Sequence, residues 1–232
     1  MKIINPVHAS FIGLLLILLS SLFSQTAIAE ELAGYVESVK GTAWAQAPEG
    51  ERRPLKKGSP FYVNDTLTTE IDSNIQIRFE DKTKFYMGEN SDLLIQDFIY
   101  KKPRQENSLS AKILKGTFRF ISGLIASTRP ESMEVETSVA TIGIRGTHVV
   151  GEADSTSATI ILMEPEGEDR DTSIIVANEY GSVVIDEPGY GTEIPDQYSP
   201  PSPPRRMRLQ TINNIMRSMQ SIQRINIPRP IR

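Results

Sequence analysis

The stretch NIQIRFEDKTKFYMG, Asn74 to Gly88, decides the fold class. Side chains of a strand point alternately to its two faces, so Ile75, Ile77 and Phe79 share one face while Gln76, Arg78 and Glu80 share the other. Asp81-Lys82 stands where such a chain reverses. The stretch therefore reads as a half-buried antiparallel hairpin. Outward from it, from Glu31 to about Asp186, the same texture continues: short apolar or alternating runs broken by Gly, Pro, Asn, Asp and Ser. Among them are GYVESV (34–39), TLTTE (66–70), DLLIQDFIY (92–100), TFRFISG (117–123), SATIILME (157–164) and GSVVID (181–186). The expectation is an all-β domain of many short, mostly antiparallel strands, arranged as a sandwich, a roll or an irregular β-solenoid. One short helix is expected at SLSAKILKG, with Ser108 or Ser110 as its cap and Gly116 closing it.

Four segments follow from composition. Residues 1–29 combine a basic start, an apolar block of thirteen residues from Phe11 to Phe23 and a small-x-small site at Ala27-Ile28-Ala29. That is the plan of a secretory signal peptide cleaved between Ala29 and Glu30, since the block is short of the roughly 20 residues that span a bilayer. The β domain occupies 30–186, a Pro/Gly-rich stretch at 187–204 reads as an extended linker, and 205–232 reads as a basic amphipathic helical tail. The tail places Ile212, Ile215, Met216, Met219 and Ile222 at helical spacing. It carries seven arginines, among them Arg205, Arg206, Arg208, Arg217 and Arg224, and no Asp, Glu or Lys. The whole chain has net charge −4, but residues 30–204 hold 17 basic against 29 acidic side chains, or −12. A basic helix is thus joined to an acidic β domain.

The chemistry on offer is sparse. With no cysteine there are no disulfides, thiol nucleophiles or thiolate metal sites. After export the chain would keep one histidine, His148, too few for a multi-histidine metal centre. No nucleophile elbow, zinc-protease, P-loop or dinucleotide motif occurs. The acid-rich EPEGEDRD (164–171) lacks the spacing of a calcium loop and reads as a solvated hairpin connection. No cofactor and no metal is expected.

The most pointed residues lie in ETSVATIGIRGTHVV (136–150), where Arg145-Gly146-Thr147-His148 interrupts the strongest strand signal. Strict alternation puts Arg145 with Val139, Thr141, Gly143, Thr147 and Val149, and a bulge at Arg145-Gly146 would shift that assignment. An arginine fork there suits structural support as well as ligand contact. These four residues are the candidate binding site.

This block resembles the hallmark strand of the FecR domain family, ending in Arg-Gly-Thr. The upstream blocks GYVESVKGTAWA (34–45), LKKGSPFYVNDTLTTEIDSNIQIRFEDKTKFYMGENSDLLI (55–95) and LKGTFRF (114–120) resemble the family pattern too. Ser138, where the family often has proline, is a departure. The resemblance runs from about Gly34 to Ile185 and implies a β-rich exported domain. Founding members of the family regulate sigma factors of iron transport through a cytoplasmic segment; here only about ten residues precede the apolar block, so no cytoplasmic sigma factor is expected as a partner. Three functions remain open. One is a periplasmic or otherwise extracytoplasmic binding or signalling module, soluble or peripheral, for an envelope protein or glycan. The second is an envelope assembly factor docked through the basic tail on a partner or an anionic membrane. The third is an exported carbohydrate-active enzyme, which needs only two carboxylates. Nucleic acid is not expected.

Overall fold

The structure is a computed structural model and describes residues 30–101, 106–146, 148–164 and 172–219. The signal-peptide reading, with Ala29 on one side of its cleavage site, lies outside the described residues. All elements below belong to the unit that begins at Glu31.

Alternation of apolar and polar residues produces strands throughout. In chain order they are β1 (Leu32–Lys40), β2 (Ala43–Gln46), β3 (Arg53–Pro54), β4 (Pro60–Tyr62), β5 (Thr66–Thr69), β6 (Asn74–Phe79), β7 (Lys84–Met87), β8 (Asp92–Ile99) and β9 (Ser108–Ile121). After a short helix α1 (Leu124–Thr128) and a 3-10 turn (Pro130–Ser132) come β10 (Met133–Glu136), β11 (Thr141–Arg145), β12 (His148–Ala153), β13 (Ala158–Met163), β14 (Ser173–Asn178), β15 (Gly181–Ile185), β16 (Tyr190–Ile194) and β17 (Arg205–Arg206). Helix α2 (Leu209–Met219) follows. The opening hairpin forms as its alternation requires, with Ile75 opposite Met87 and Ile77 opposite Phe85.

The sheet is organised by β9. Its first part pairs with β8 and, in the one parallel pairing among the described strands, with β10. Its second part pairs with β7 and β12. The change of partners falls at Gly116, whose φ of +104° is open only to glycine at low cost, and where a Cβ would lie 2.0 Å from the Ser91 hydroxyl oxygen. Two runs of strands therefore share β9. One is β4-β1-β6-β7-β9-β12-β13-β16-β17 and the other is β3-β2-β5-β8-β9-β10-β11-β14-β15. Inward side chains of both runs, including Phe61, Phe79, Phe85, Phe118 and Phe120 from the first and Leu67, Leu93, Ile113, Ile142 and Ile174 from the second, join one hydrophobic cluster. The open sheet is thus folded so that its two halves enclose a common core. At about 1.5–3 kcal/mol for each large apolar side chain buried, this cluster is the main source of stability in a chain without disulfides.

Two expectations are corrected. SLSAKILKG is part of β9, not a helix: Leu109, Ala111 and Ile113 are buried at a period of two, while Lys112 and Lys115 pair outward with Glu136 and Asp92 at 3.2 and 3.1 Å. Gly116, read as a helix stop, is the bend of a strand. The stretch read as a linker contains β16, in which Gly191, Thr192 and Ile194 are buried against β13. Its prolines, Pro188 and Pro195, flank the strand and leave its own N–H groups free to pair. A Cβ on Gly191 would lie 2.5 Å from the Ile160 carbonyl oxygen, so glycine here serves close strand approach.

Candidate functional site

The run Ala140–Gly151 is not one strand. β11 pairs with β10 and β14 in one half of the sheet, whereas β12 pairs with β9 and β13 in the other. The chain crosses between the halves at Gly146, which takes φ +56°. Alternation holds up to the crossing, with Ile142 and Ile144 inward, and then restarts, so it cannot be continued from Arg145 through Thr147 to Val149. Thr147 itself lies outside the described residues.

Arg145 ends β11 exposed at the rim of an open cavity of about 640 Å³, which Lys82, Gly123, Leu124, Ala126, Pro130 and Gly146 also line. The far wall is built from the hairpin that opened the sequence reading. Asp81, at its tip, is fully buried; its carboxylate accepts hydrogen bonds from the Thr83 amide (2.9 Å), the Thr83 hydroxyl (2.8 Å) and the Ile125 amide (3.2 Å). The Asp81 carbonyl accepts from the Leu124 amide at 2.9 Å, and the tip is thereby pinned to α1. Gly123 permits this approach, since a Cβ there would lie 2.4 Å from the Asp81 carbonyl oxygen. Lys82 follows with φ +74°, a left-handed conformation costing a non-glycine residue on the order of 1 kcal/mol. Among the described residues neither the Lys82 nor the Arg145 side chain has a hydrogen bond or ion pair. Of the two roles open to Arg145, structural support and ligand contact, its exposure favours the second.

His148 points elsewhere. It is 7% exposed, and its Nε2 accepts a 2.7 Å hydrogen bond from Arg119 Nε. Because Nε2 is the acceptor, the ring proton sits on Nδ1 and is donated to the Glu164 carbonyl at 2.9 Å. The Arg119 guanidinium in turn lies 4.8 Å over the Tyr86 ring. Of the four candidate residues, the structure thus brings Arg145 and Gly146 to the cavity and builds His148 into a Tyr86–Arg119–His148 array. Lys82, Tyr86 and Arg119 were not legible as site residues. Each sits at an ordinary polar position; the register of β7, β9 and β12 joins Tyr86 and Arg119 to His148, and the docking of Asp81 on α1 brings Lys82 to the cavity.

The tail stripe is in use. Ile212, Ile215, Met216 and Met219 pack with Met207, Val150, Ile161 and Met163 in a second hydrophobic cluster on the outer face of β12 and β13. The hydroxyl oxygens of Ser218 and Thr117 are 2.6 Å apart in a hydrogen bond. Arg205 pairs with Glu193 at 2.7 Å, while Arg206, Arg208 and Arg217 are exposed. Ile222 and Arg224 lie outside the described residues, as does the acid-rich connection from Pro165 to Asp171. Among the described residues no helix is long and apolar enough to cross a membrane, and no three His, Asp or Glu side chains are grouped as a metal site.

A family model, FecR protein, matches residues 65–165. No curated protein matches the chain. One similar solved structure is that of a candidate anti-sigma factor from Parabacteroides distasonis, at 10% identity and a TM-score of 0.48, over 65% of this chain and 64% of that one. The present chain therefore spans just under two thirds of that protein's length. The family match is narrower than the resemblance read from Gly34 to Ile185, but it contains Lys82, the bend of β9, the Gly146 crossing and Arg145. Residues 65–165 of this chain are a FecR domain.

Proposed function

We propose that this protein is a non-enzymatic, exported binding and signalling module of the cell envelope, which recognises a protein or glycan partner at the cavity beside Arg145. The observation that carries the reading is the pairing in one cavity of the FecR domain of two exposed cations, Lys82 and Arg145, that have no partner among the described residues. The pocket size falls within the few hundred to 1,000 Å³ usual for binding sites. A non-catalytic role is supported by His148, whose two ring nitrogens are both hydrogen-bonded within the protein. Export rests on the signal-like segment at 1–29, and with it the absence of nucleic acid and of a cytoplasmic sigma factor among the partners.

A second reading, docking through the tail on an anionic membrane or a partner, keeps only part of its basis. The apolar stripe up to Met219 is packed on the domain, which leaves Arg206, Arg208 and Arg217 as an electrostatic contact. The test is photo-crosslinking in cells, with the reactive residue placed at Ser127 beside the cavity or at Ile71, which is 71% exposed and not among its lining residues. A discrete adduct from Ser127 that is absent from Ile71 and lost in Arg145→Glu is the expected result. Equal labelling from both positions overturns the reading. Sequencing the mature protein from the periplasmic fraction should give Glu30 at its N-terminus, and an intact Met1 would remove the export step.

A further inference from the structure

We infer that the cavity takes an acidic peptide segment of a protein partner, with a carboxylate held between Lys82 and Arg145. This rests on the reading of the cavity as a contact surface and specifies its occupant. The first argument is charge. Residues 30–204 carry a net −12, yet among the described residues no Asp or Glu lines this cavity and two cations do. The acids next to the lining in sequence are engaged elsewhere: the buried Asp81 carboxylate is taken by Thr83 and Ile125, and Glu131 pairs with Arg129 at 3.2 Å. An acidic ligand is repelled by the domain as a whole and attracted at this cavity, which orients its approach.

The second argument is the character of the remaining lining. Leu124, Ala126 and Pro130 are apolar, and among the described residues no aromatic ring lines the cavity to stack against a sugar. The Ser127 hydroxyl is already donated to the Leu124 carbonyl at 3.0 Å, and Ser122, the other serine of the lining, is also engaged within the protein. Recognition is therefore left to the cations and the small apolar surface, a combination suited to a carboxylate flanked by aliphatic side chains. Arg145 supplies a planar fork for two carboxylate oxygens and Lys82 a mobile point charge.

The third argument is where the two cations stand. Lys82 occupies a left-handed turn position where glycine or asparagine would fit without strain, and its neighbour Asp81 is held through its carboxylate by the Thr83 amide and hydroxyl within the hairpin and by the Ile125 amide of α1. Arg145 is the last residue before the Gly146 crossing. Lys82 thus projects from a pinned turn, and Arg145 from a strand end paired with Ser173 of β14, which lowers the ordering cost of binding.

The test uses the mature full-length protein and measures fluorescence anisotropy at low salt. The probes are short, labelled degenerate peptides rich in Asp, Glu, Leu and Val, the same peptides with Asn and Gln in place of the acids, and a labelled oligogalacturonate. The expected result is binding of the acidic peptides, weakened about tenfold by Arg145→Ala or by Lys82→Asn, with neither the neutral peptides nor the uronate bound comparably. Both replaced side chains are exposed, and asparagine tolerates the left-handed backbone at 82, so unchanged melting curves separate lost contact from lost fold. Acidic-peptide binding that neither substitution weakens overturns the inference. So does binding of the uronate with the same dependence on Arg145, which would keep the cavity as the contact surface and change its occupant. Failure of every probe while the Ser127 adduct persists in cells would likewise reject the acidic peptide and spare the broader reading.

Discussion

β11 and β12 leave the same Gly146 crossing with similar β-branched composition, yet one is buried on a single face and the other on both. In β11 the side chains alternate, Ile142 and Ile144 inward, Thr141 and Gly143 half-buried, Arg145 exposed. In β12 the run from His148 to Gly151 is buried without a break. The difference comes from outside both strands. Helix α2 covers the outer face of β12 and β13, whereas Ile175 and Val184, outward on the β14–β15 side of β11, remain 51% and 57% exposed. Among the described residues no helix covers Arg145, which projects toward solvent, whereas His148 lies on the strand that α2 covers and is held there by Arg119 and the Glu164 carbonyl.

The largest expected effect tests that cover. Val150→Asp places a charge between α2 and the sheet and should lower unfolding free energy by about 3–5 kcal/mol, detaching the helix as well. Val184→Asp, on the uncovered side, should cost about 1 kcal/mol or less. Urea titrations giving equal losses would mean that α2 does not protect β12.

The glycines of the two strands make a finer pair. A Cβ on Gly151 would lie 2.4 Å from the Thr159 carbonyl oxygen and 2.5 Å from Phe118 Cζ, so Gly151→Ala should cost about 2 kcal/mol or more. At Gly143 the nearest atoms are 3.8 and 3.9 Å away, ordinary contact distances. Gly143→Ala should be neutral or stabilise by about 0.5 kcal/mol, because alanine restricts the unfolded chain. A loss at position 143 equal to that at 151 would show that both faces of β11 are closed too.

The two arginines follow in size. Arg119→Ala removes the donor to buried His148 Nε2 and the guanidinium over Tyr86, at an expected cost of about 1–3 kcal/mol. Arg145→Ala should stay within about 0.5 kcal/mol, as for an exposed side chain with no partner among the described residues. Reversal of this order in thermal unfolding would restore Arg145 as a structural residue and remove it from the binding surface.

These contrasts mark what could be read before folding. Alternation is a local property, so NIQIRFEDKTKFYMG announced its own hairpin, and Ile212 to Met219 announced an amphipathic helix. What covers a face is not local. Val150 and Ile161 look like any other strand residues until β12 and β13 meet a helix that starts at Leu209. SLSAKILKG misled because serine and glycine cap helices and also begin and bend strands; the buried alternation of Leu109, Ala111 and Ile113 was the better guide. At the site, Arg145 and Gly146 stood out by type, but Lys82 reached them only through the docking of Asp81 on α1, a contact spanning 44 residues.

The smallest effect belongs to the far end of β12, where Asp154 turns the chain into β13. Its Oδ1 accepts hydrogen bonds from the Thr156 amide at 2.7 Å and the Ser157 amide at 2.8 Å, and its Oδ2 accepts one from the Ser157 hydroxyl at 2.9 Å. The Thr156 amide, then the Ser157 hydroxyl and amide, hold the carboxyl down at about 2 from an ordinary 3.8. A depressed acid of this kind contributes stability that is complete above the unfolded value near 4 and is lost as pH falls through about 2. Because the group is almost wholly exposed, solvent screening holds the effect below about 1 kcal/mol. Asp154→Asn keeps an acceptor for the turn and removes the charge, so its unfolding free energy should fall less steeply than the wild type's between pH 4 and pH 2. Identical slopes would assign the β12–β13 turn to its backbone alone, and would confine the electrostatic contribution of this strand to its other end, at His148.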